Sequence, residues 1–133
     1  MEKRERFERT EQNDTGTIRI ADEVVAIVAG MAATEITGVA GMSAGLVGGI
    51  AEMLGKKNLA KGVKVEVGER EAAVDLYIIV EYGVKIPDIA LHVQENVKRA
   101  VESMTGLDVI EINVHVQGVG FSPENKEEDI RVR

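Results

Sequence analysis

Alternation of hydrophobic and polar residues in three segments constrains the fold of this chain more than any other feature. Residues 63–67 read Val-Lys-Val-Glu-Val, and residues 72–82 and 110–116 also place a hydrophobic side chain at every second position. A period of two is typical of a β-strand that buries one face and exposes the other. The pattern predicts a sheet with one covered face. Gly68–Glu71 predict a hairpin between the first two of these strands.

Two helices are predicted to cover that face. The first begins at Asp22 and ends near Gly38, and a hydrophobic stripe at helical spacing follows its length. The stripe consists of Val24, Val25, Ile27, Val28, Ala29, Met31, Ala32 and Ile36. The second begins at Pro87, whose missing amide is tolerated in the first turn, and ends before Gly106, a typical terminator. Its buried face is predicted to consist of Ile89, Val93, Val97, Ala100, Val101 and Met104.

A short strand at Thr17–Ile20 precedes the first helix, so the predicted order of elements is β-α-β-β-α-β. This order predicts an α+β protein, a two-layer α/β sandwich with two helices on one face of a small mixed sheet. A chain of 133 residues suits one domain. We expect the domain to span residues 15–120, between disordered charged tails at residues 1–14 and 121–133.

Glycine-rich residues 41–55 follow the first helix, and we expect them to form a mobile crossover. The candidate flexible positions are Gly41, Gly45, Gly48 and Gly49. Gly45–Gly48 also matches the G-x-x-G loop by which KH domains clamp a nucleic-acid backbone. A KH-like binder of single-stranded nucleic acid, helped by Lys56, Lys57 and Lys61, is therefore an alternative hypothesis.

Composition excludes several classes of function. The net charge of −7 weighs against a partner with a phosphate backbone, so we expect no nucleic-acid partner. The chain has no cysteine, which excludes disulfides, thiol catalysis and cysteine-based zinc sites. No segment has the roughly 20 continuous hydrophobic residues of a membrane-spanning helix. We therefore expect no direct insertion into a membrane.

The polar residues predict no catalytic set, no bound cofactor and no metal site. Asp88 and His92 lie four residues apart on the second helix, but two ligands make a poor metal site. Such pairs are ordinary neighbours on a helix surface. No serine lies in a nucleophile-elbow pattern. The chain is therefore predicted not to be an enzyme.

Tyr77 and Ile79 depart most from a plain polar surface. They alternate with the core residues of their strand and therefore fall on the face turned away from the helices. Asn113, His115 and Gln117 on the last strand point outward in the same way. One interpretation is that Tyr77 and Ile79 only favour strand formation. The other is that these five residues form an interaction surface for a second copy of the chain or for a protein partner.

Several separated blocks resemble one family. IRIADEVV at residues 18–25, EYG at 81–83, MTGL at 104–107 and VHVQGV at 114–119 stand in the order found in the alkaline shock protein family of Gram-positive bacteria, which includes the glucose-starvation general stress proteins. The resemblance covers residues 15–120. It implies a non-enzymatic, cytoplasmic protein linked to cell-envelope stress. In some relatives it implies attachment at the membrane through a separate anchor protein.

Residues 42–69 further resemble a subgroup that is often encoded beside acetyl-CoA carboxylase genes. That resemblance implies an alternative function as a regulatory partner of fatty-acid synthesis enzymes. The leading hypothesis is a scaffold that associates with itself and with a membrane-anchored or metabolic partner. It would do so through the sheet face turned away from the helices or through the glycine-rich loop. The family supplies no catalytic or ligand-binding residues to transfer, so the site hypotheses stand on the residues alone.

Overall fold

A computed structural model describes residues 9–43 and 60–121 of the chain. These residues form two helices and six strands. In chain order the elements are β1 (Arg9–Asn13), β2 (Gly16–Ile20), α1 (Asp22–Thr34), β3 (Val39–Met42), β4 (Val63–Val67), β5 (Glu71–Glu81), α2 (Ile86–Thr105) and β6 (Asp108–Gly120). The helices cover one face of a mixed four-stranded sheet, which confirms the predicted α+β class and the two-layer architecture.

Strand β5 is the centre of the four-stranded sheet. On one edge, β6 pairs with it in parallel from Glu71 to Glu81. Two antiparallel strands share the other edge, where β4 pairs with Ala72–Leu76 and β3 pairs with Ile78–Val80. Every other strand of this sheet is therefore positioned by its hydrogen bonds to β5.

β3 and β4 lie end to end, as two halves of one strand, and meet beside Tyr77. The amide of Ser43 donates to the carbonyl of Tyr77, and the amide of Tyr77 donates to the carbonyl of Gly62, each over 2.8 Å. The chain therefore leaves the sheet at Ser43 and re-enters it at Gly62. Gly62 has a φ of 77°, and a Cβ there would lie 2.8 Å from the carbonyl oxygen of Ser43, so this junction requires glycine.

The sequence pattern does not predict β3. This strand contains Ala40 and Gly41, which have low strand propensity, and its pairing with β5 holds it in place. Gly41 is therefore a strand residue, and its assignment to a flexible loop is wrong. The other three glycines of that predicted loop, Gly45, Gly48 and Gly49, lie outside the described residues.

The N-terminal part of the chain also differs from the prediction. Arg9–Asn13, assigned to a disordered tail, form β1 and pair with β2 in a two-stranded antiparallel hairpin. The strand predicted at Thr17–Ile20 belongs to this hairpin and not to the four-stranded sheet. Polar residues on β1 give no hydrophobic alternation, so the pattern cannot identify it. Residues 1–8 and 122–133 lie outside the described part of the chain.

The core lies between β5 and the helices. On the inner side of β5 the buried residues are Ala72, Val74, Leu76, Ile78 and Val80. Val93, Val97 and Val101 of α2 are fully buried against them, as their helical spacing predicts. Burial of each such side chain contributes about 1.5–3 kcal/mol to stability. Met104, predicted on the same helix face, is exposed in the last turn of α2.

α1 buries part of the predicted stripe together with small residues that the stripe omits. Its buried residues are Val25, Ala26, Ala29, Gly30, Ala32 and Ala33. Val24 and Met31, which were predicted to be buried, are exposed. Small side chains allow α1 to approach α2 and β4 closely, and the side-chain amide of Asn96 on α2 donates to the Ala32 carbonyl over 2.8 Å. Val25, Ala29 and Ala32 are buried as predicted. Ala26, Gly30 and Ala33 are missed, because hydrophobic spacing favours the larger side chains.

Side chains of α2 bond to the outer edge of β6 near the beginning of that strand. Gln94 Nε2 donates to the Ile112 carbonyl over 3.0 Å, and Glu102 Oε2 accepts from the Val109 amide over 2.9 Å. Lys98 Nζ donates to the same oxygen of Glu102 over 2.8 Å. These bonds lower the pKa of Glu102, the bond from Lys98 most and the bond from Val109 next. The beginning of this edge strand therefore has its backbone groups satisfied by the helix layer.

We expect Leu76→Ala to lower the free energy of unfolding by about 2–5 kcal/mol, because it leaves a cavity between β5 and the helices. Leu76 is 0% exposed, whereas Leu91 on α2 is 51% exposed. The matched change Leu91→Ala should cost less than about 0.5 kcal/mol. Urea unfolding followed by circular dichroism measures both values. Equal losses in the two variants would contradict this placement of the core.

We also expect the contribution of Glu102 to stability to depend on pH. Its folded pKa lies below the ordinary 4.5, so the ionised carboxylate stabilises the fold above pH 4.5, and this contribution is lost as the pH falls through the folded pKa. The difference in free energy of unfolding between the wild type and Glu102→Gln should therefore shrink toward acid pH.

Urea titrations between neutral pH and about pH 3, below the ordinary range of a glutamate, measure that difference. Lys98→Met should weaken the pH dependence, because Lys98 donates the hydrogen bond that lowers the pKa of Glu102 most. If the difference in free energy of unfolding between the wild type and Glu102→Gln stays constant over this pH range, the hydrogen bonds of Glu102 do not form in solution.

Candidate functional site

The side of the sheet turned away from the helices, called the open face below, is covered by neither described helix. Its side chains alternate with the buried ones along β4, β5 and β6. They are Lys64, Glu66, Ala73, Asp75, Tyr77, Ile79, Glu81, Glu111, Asn113, His115 and Gln117. The structure thus brings together all five residues predicted as an interaction surface. Their role in binding stays a prediction.

Two rings stack at the centre of the open face. The parallel register places Tyr77 beside His115, and their ring centroids lie 4.5 Å apart with an interplanar angle of 11°. Lys64 Nζ lies 6.0 Å from the centroid of the Tyr77 ring. Stacking and a nearby cation favour one orientation of the Tyr77 ring. The half-buried ring is therefore presented as a rigid surface.

Asp75 links this ring stack to β6. Its Oδ1 accepts a hydrogen bond from Asn113 Nδ2 over 3.0 Å and lies 3.3 Å from His115 Nε2. Asn113 Nδ2 also donates to Glu111 Oε2 over 3.0 Å. In the parallel register Asn113 stands opposite Asp75 and His115 opposite Tyr77, so neighbouring positions of two strands form one network. The sequence places these residues on one face, and only the register pairs them.

Ile79 lies among residues that lack bulky side chains. A Cβ added to Gly118 would lie 3.6 Å from the Ile79 side chain, and one added to Gly120 would lie 3.5 Å from both Ile79 and Ala40. Gly41 of β3 is the register partner of Ile79 on the other side. The half-buried side chain of Ile79 therefore lies beside the backbone of Gly118 and Gly120, which carry no side chains of their own. Sequence reasoning missed Gly118 and Gly120, because a register shift in β6 brings them to this face.

Gln117 connects β6 to the point where the chain leaves the sheet. Ser43 Oγ donates a hydrogen bond to Gln117 Oε1 over 3.1 Å. Ser43 follows β3, which lies on the opposite edge of β5, so this bond crosses the open face. Ser43 was missed as a member of the site because β3 itself carries no strand signal.

The open face is acidic. Among its described residues, the carboxylates of Glu66, Asp75, Glu81 and Glu111 outnumber the ammonium group of Lys64. His115 adds positive charge only when it is protonated. A surface of this kind attracts basic side chains and repels phosphates.

Other predicted features fall outside the open face. Asp88 and His92 are both exposed on α2. Within the described ranges, no three histidine, aspartate or glutamate side chains stand close enough together to hold a metal ion. Of the helices in residues 9–43 and 60–121, none combines the length and the apolar composition needed to cross a bilayer. The G-x-x-G segment at Gly45–Gly48 lies outside the described residues.

Comparison with known proteins connects this architecture to a family. A model of the alkaline shock protein 23 family, described by a cell envelope-related function, matches residues 10–121. The uncharacterized protein YqhY of Bacillus subtilis is 40% identical over 120 residues, which cover 90% of this chain and 89% of YqhY. The uncharacterized protein YloU of the same organism is 42% identical over 106 residues, which cover 78% of this chain and 88% of YloU.

A relative in Streptococcus pyogenes carries a functional name. It is called stress response regulator gls24 homolog and is 31% identical over 119 residues, which cover 89% of this chain and 66% of the relative. No solved structure matches the chain significantly. The comparisons confirm the resemblance to the alkaline shock protein family. The chain belongs to the alkaline shock protein 23 family, which has a cell envelope-related function and includes relatives named as stress response regulators.

Proposed function

We propose that this chain is a non-enzymatic scaffold of the cell-envelope stress response, which docks a protein partner through the open face and also associates with itself. It acts in the cytoplasm, and a membrane-anchored partner holds it at the envelope. The family description supports the link to the envelope, and the name of the S. pyogenes relative supports the link to stress. Neither description names a reaction.

The Tyr77–His115 stack, on a sheet face that neither described helix covers, is the observation that carries this proposal. An aromatic side chain that is already held in one orientation loses little conformational entropy when a partner binds. Tyrosine is also enriched among the residues that dominate binding energies. Ile79 extends the apolar area along the same strand, beside Gly118 and Gly120, which have no side chains. Together these features support a docking role over a role in strand formation alone.

The charges around Tyr77 and Ile79 define the chemistry of the partner. The carboxylates of Glu66, Glu81 and Glu111 surround the apolar centre. We infer a protein segment that places an apolar side chain against that centre and lysine or arginine side chains against the carboxylates. The same charges weigh against the KH-like alternative. Regulation of fatty-acid synthesis enzymes would use the same surface and would differ only in the identity of the docked protein.

We expect the double variant Tyr77→Asp with Ile79→Glu to lose its protein partner, because it removes the apolar centre and adds charge to an already acidic face. The tagged protein is captured from its own cells, and the proteins that come with it are identified by mass spectrometry. Circular dichroism and thermal unfolding check that the variant folds. Both substituted positions point away from the core, so the fold should persist.

A matched control introduces two acidic residues on the helix layer, at the exposed apolar positions Leu91 and Met104. The variant Leu91→Glu with Met104→Glu should capture the same partner as the wild type. A folded Tyr77→Asp, Ile79→Glu variant that retains the partner would exclude the open face as the docking surface. Loss of the partner in both variants would indicate an effect of net charge and not of this face.

A further inference from the structure

The outer edge of β6 is bonded in its first half, whereas its second half has no bond to residues 9–43 or 60–121. Within the described residues β6 pairs only with β5, and α2 bonds to the edge at Val109 and Ile112. Backbone groups alternate in direction along a strand. Because the Ile112 carbonyl points outward, the amides and carbonyls of Val114 and Val116 point outward too, and no described residue bonds to them.

This second half is both long and uncharged, which sets it apart from the other sheet edge. β3, which is uncharged but only four residues long, forms one part of that other edge. β4, which forms part of the opposite edge, is short and carries Lys64 and Glu66. Short length and charged residues are the usual protection against pairing between sheets. Residues 113–120 read Asn-Val-His-Val-Gln-Gly-Val-Gly, with no charged residue and no proline. This half of β6 is therefore open to strand addition.

We propose that the second half of β6 pairs antiparallel with the same strand of a second copy, centred near His115, so that two molecules form a symmetric dimer with a continuous sheet. This inference rests on the self-association in the proposed function and assigns its surface. The absence of charge in residues 113–120 allows a second copy of the chain to pair with this edge. Two chains of net charge −7 repel each other, and residues 113–120 allow contact without placing like charges opposite one another.

Exposed apolar residues at the two ends of β6 support this geometry. Ile110 near the start is 61% exposed, whereas Val119 and Phe121 near the end are 51% and 42% exposed. Antiparallel pairing centred near His115 brings Ile110 of each copy close to Val119 and Phe121 of the other. A two-fold axis makes every such contact twice. The same pairing sets Val114 opposite Val116, and the two four-stranded sheets become one.

Val116→Pro tests the edge directly. Proline removes an amide that points outward from an edge strand, so the monomer tolerates it, while the cross-dimer hydrogen bond is lost. Light scattering on the full chain at about 100 µM, which populates a dimer of micromolar affinity, should show a dimer for the wild type and a monomer for Val116→Pro. The dissociation constant should rise at least about 100-fold. The matched control Val116→Thr keeps the amide and a β-branched side chain, and it should stay dimeric.

A cysteine crosslink tests the same geometry without removing a backbone amide. Because the chain has no cysteine, a single introduced thiol reports only on contact between two copies. His115→Cys should form an intermolecular disulfide on mild oxidation, since residues near the axis of an antiparallel pair have adjacent Cβ atoms. Glu66→Cys on β4 should remain a monomer on a non-reducing gel.

The outcomes separate this inference from the docking proposal. A monomeric wild type, a folded Val116→Pro variant that stays dimeric, or a Glu66→Cys crosslink without a His115→Cys crosslink would each overturn the edge dimer. If Val116→Pro does not fold, the pair of cysteine variants decides. Val116→Pro should still capture the protein partner of the open face, because Tyr77 and Ile79 are unchanged. A dimer that survives Tyr77→Asp with Ile79→Glu, while the partner is lost, would support both surfaces independently.

Discussion

The packing of β5 against the two helices is the interaction on which the rest of the structure depends. Leu76 and Ile78 are fully buried between the sheet and the helix layer. β3, β4 and β6 all take their positions from hydrogen bonds to β5. A low aromatic content, 3% of the chain, means that aliphatic side chains and alanines build this core. Close approach of α1 through its small residues compensates for the absence of large rings.

The same strand couples the core to the candidate site. Neighbouring residues of a strand point to opposite faces, so the pairing that buries Leu76 and Ile78 also presents Tyr77 and Ile79 on the open face. A slip of one residue would exchange the two sets, at the cost of the whole core. The position of the ring stack is therefore as firmly determined as the core itself, although the stack contributes little to that core.

Protein surfaces that must not aggregate are usually protected, and this molecule protects its sheet unevenly. Gln94 and Glu102 occupy the beginning of the β6 edge, and charged residues occupy β4. The uncharged end of β6 and the apolar centre of the open face lack such protection. They adjoin each other at His115, which lies on the edge strand and in the ring stack. We propose that these neighbouring surfaces serve assembly and docking in this member of a family with a cell envelope-related function.

The sequence alone determined the alternation of β4, β5 and β6, the limits of α2, the α+β class and the five residues that gather on the open face. Those features follow from local periodicity, from the special backbone of proline and glycine, and from motif order. Only the tertiary structure decided that β3 and β4 lie end to end beside β5, and that Ala26, Gly30 and Ala33 of α1 also face the core. It also decided that Tyr77 stacks on His115. The residues of β3 have weak strand propensity. A register shift in β6 positions Gly118 and Gly120. The Tyr77–His115 stack forms only when β5 and β6 pair in parallel register. Each of these depends on contacts between residues far apart in the chain, which a local pattern does not encode.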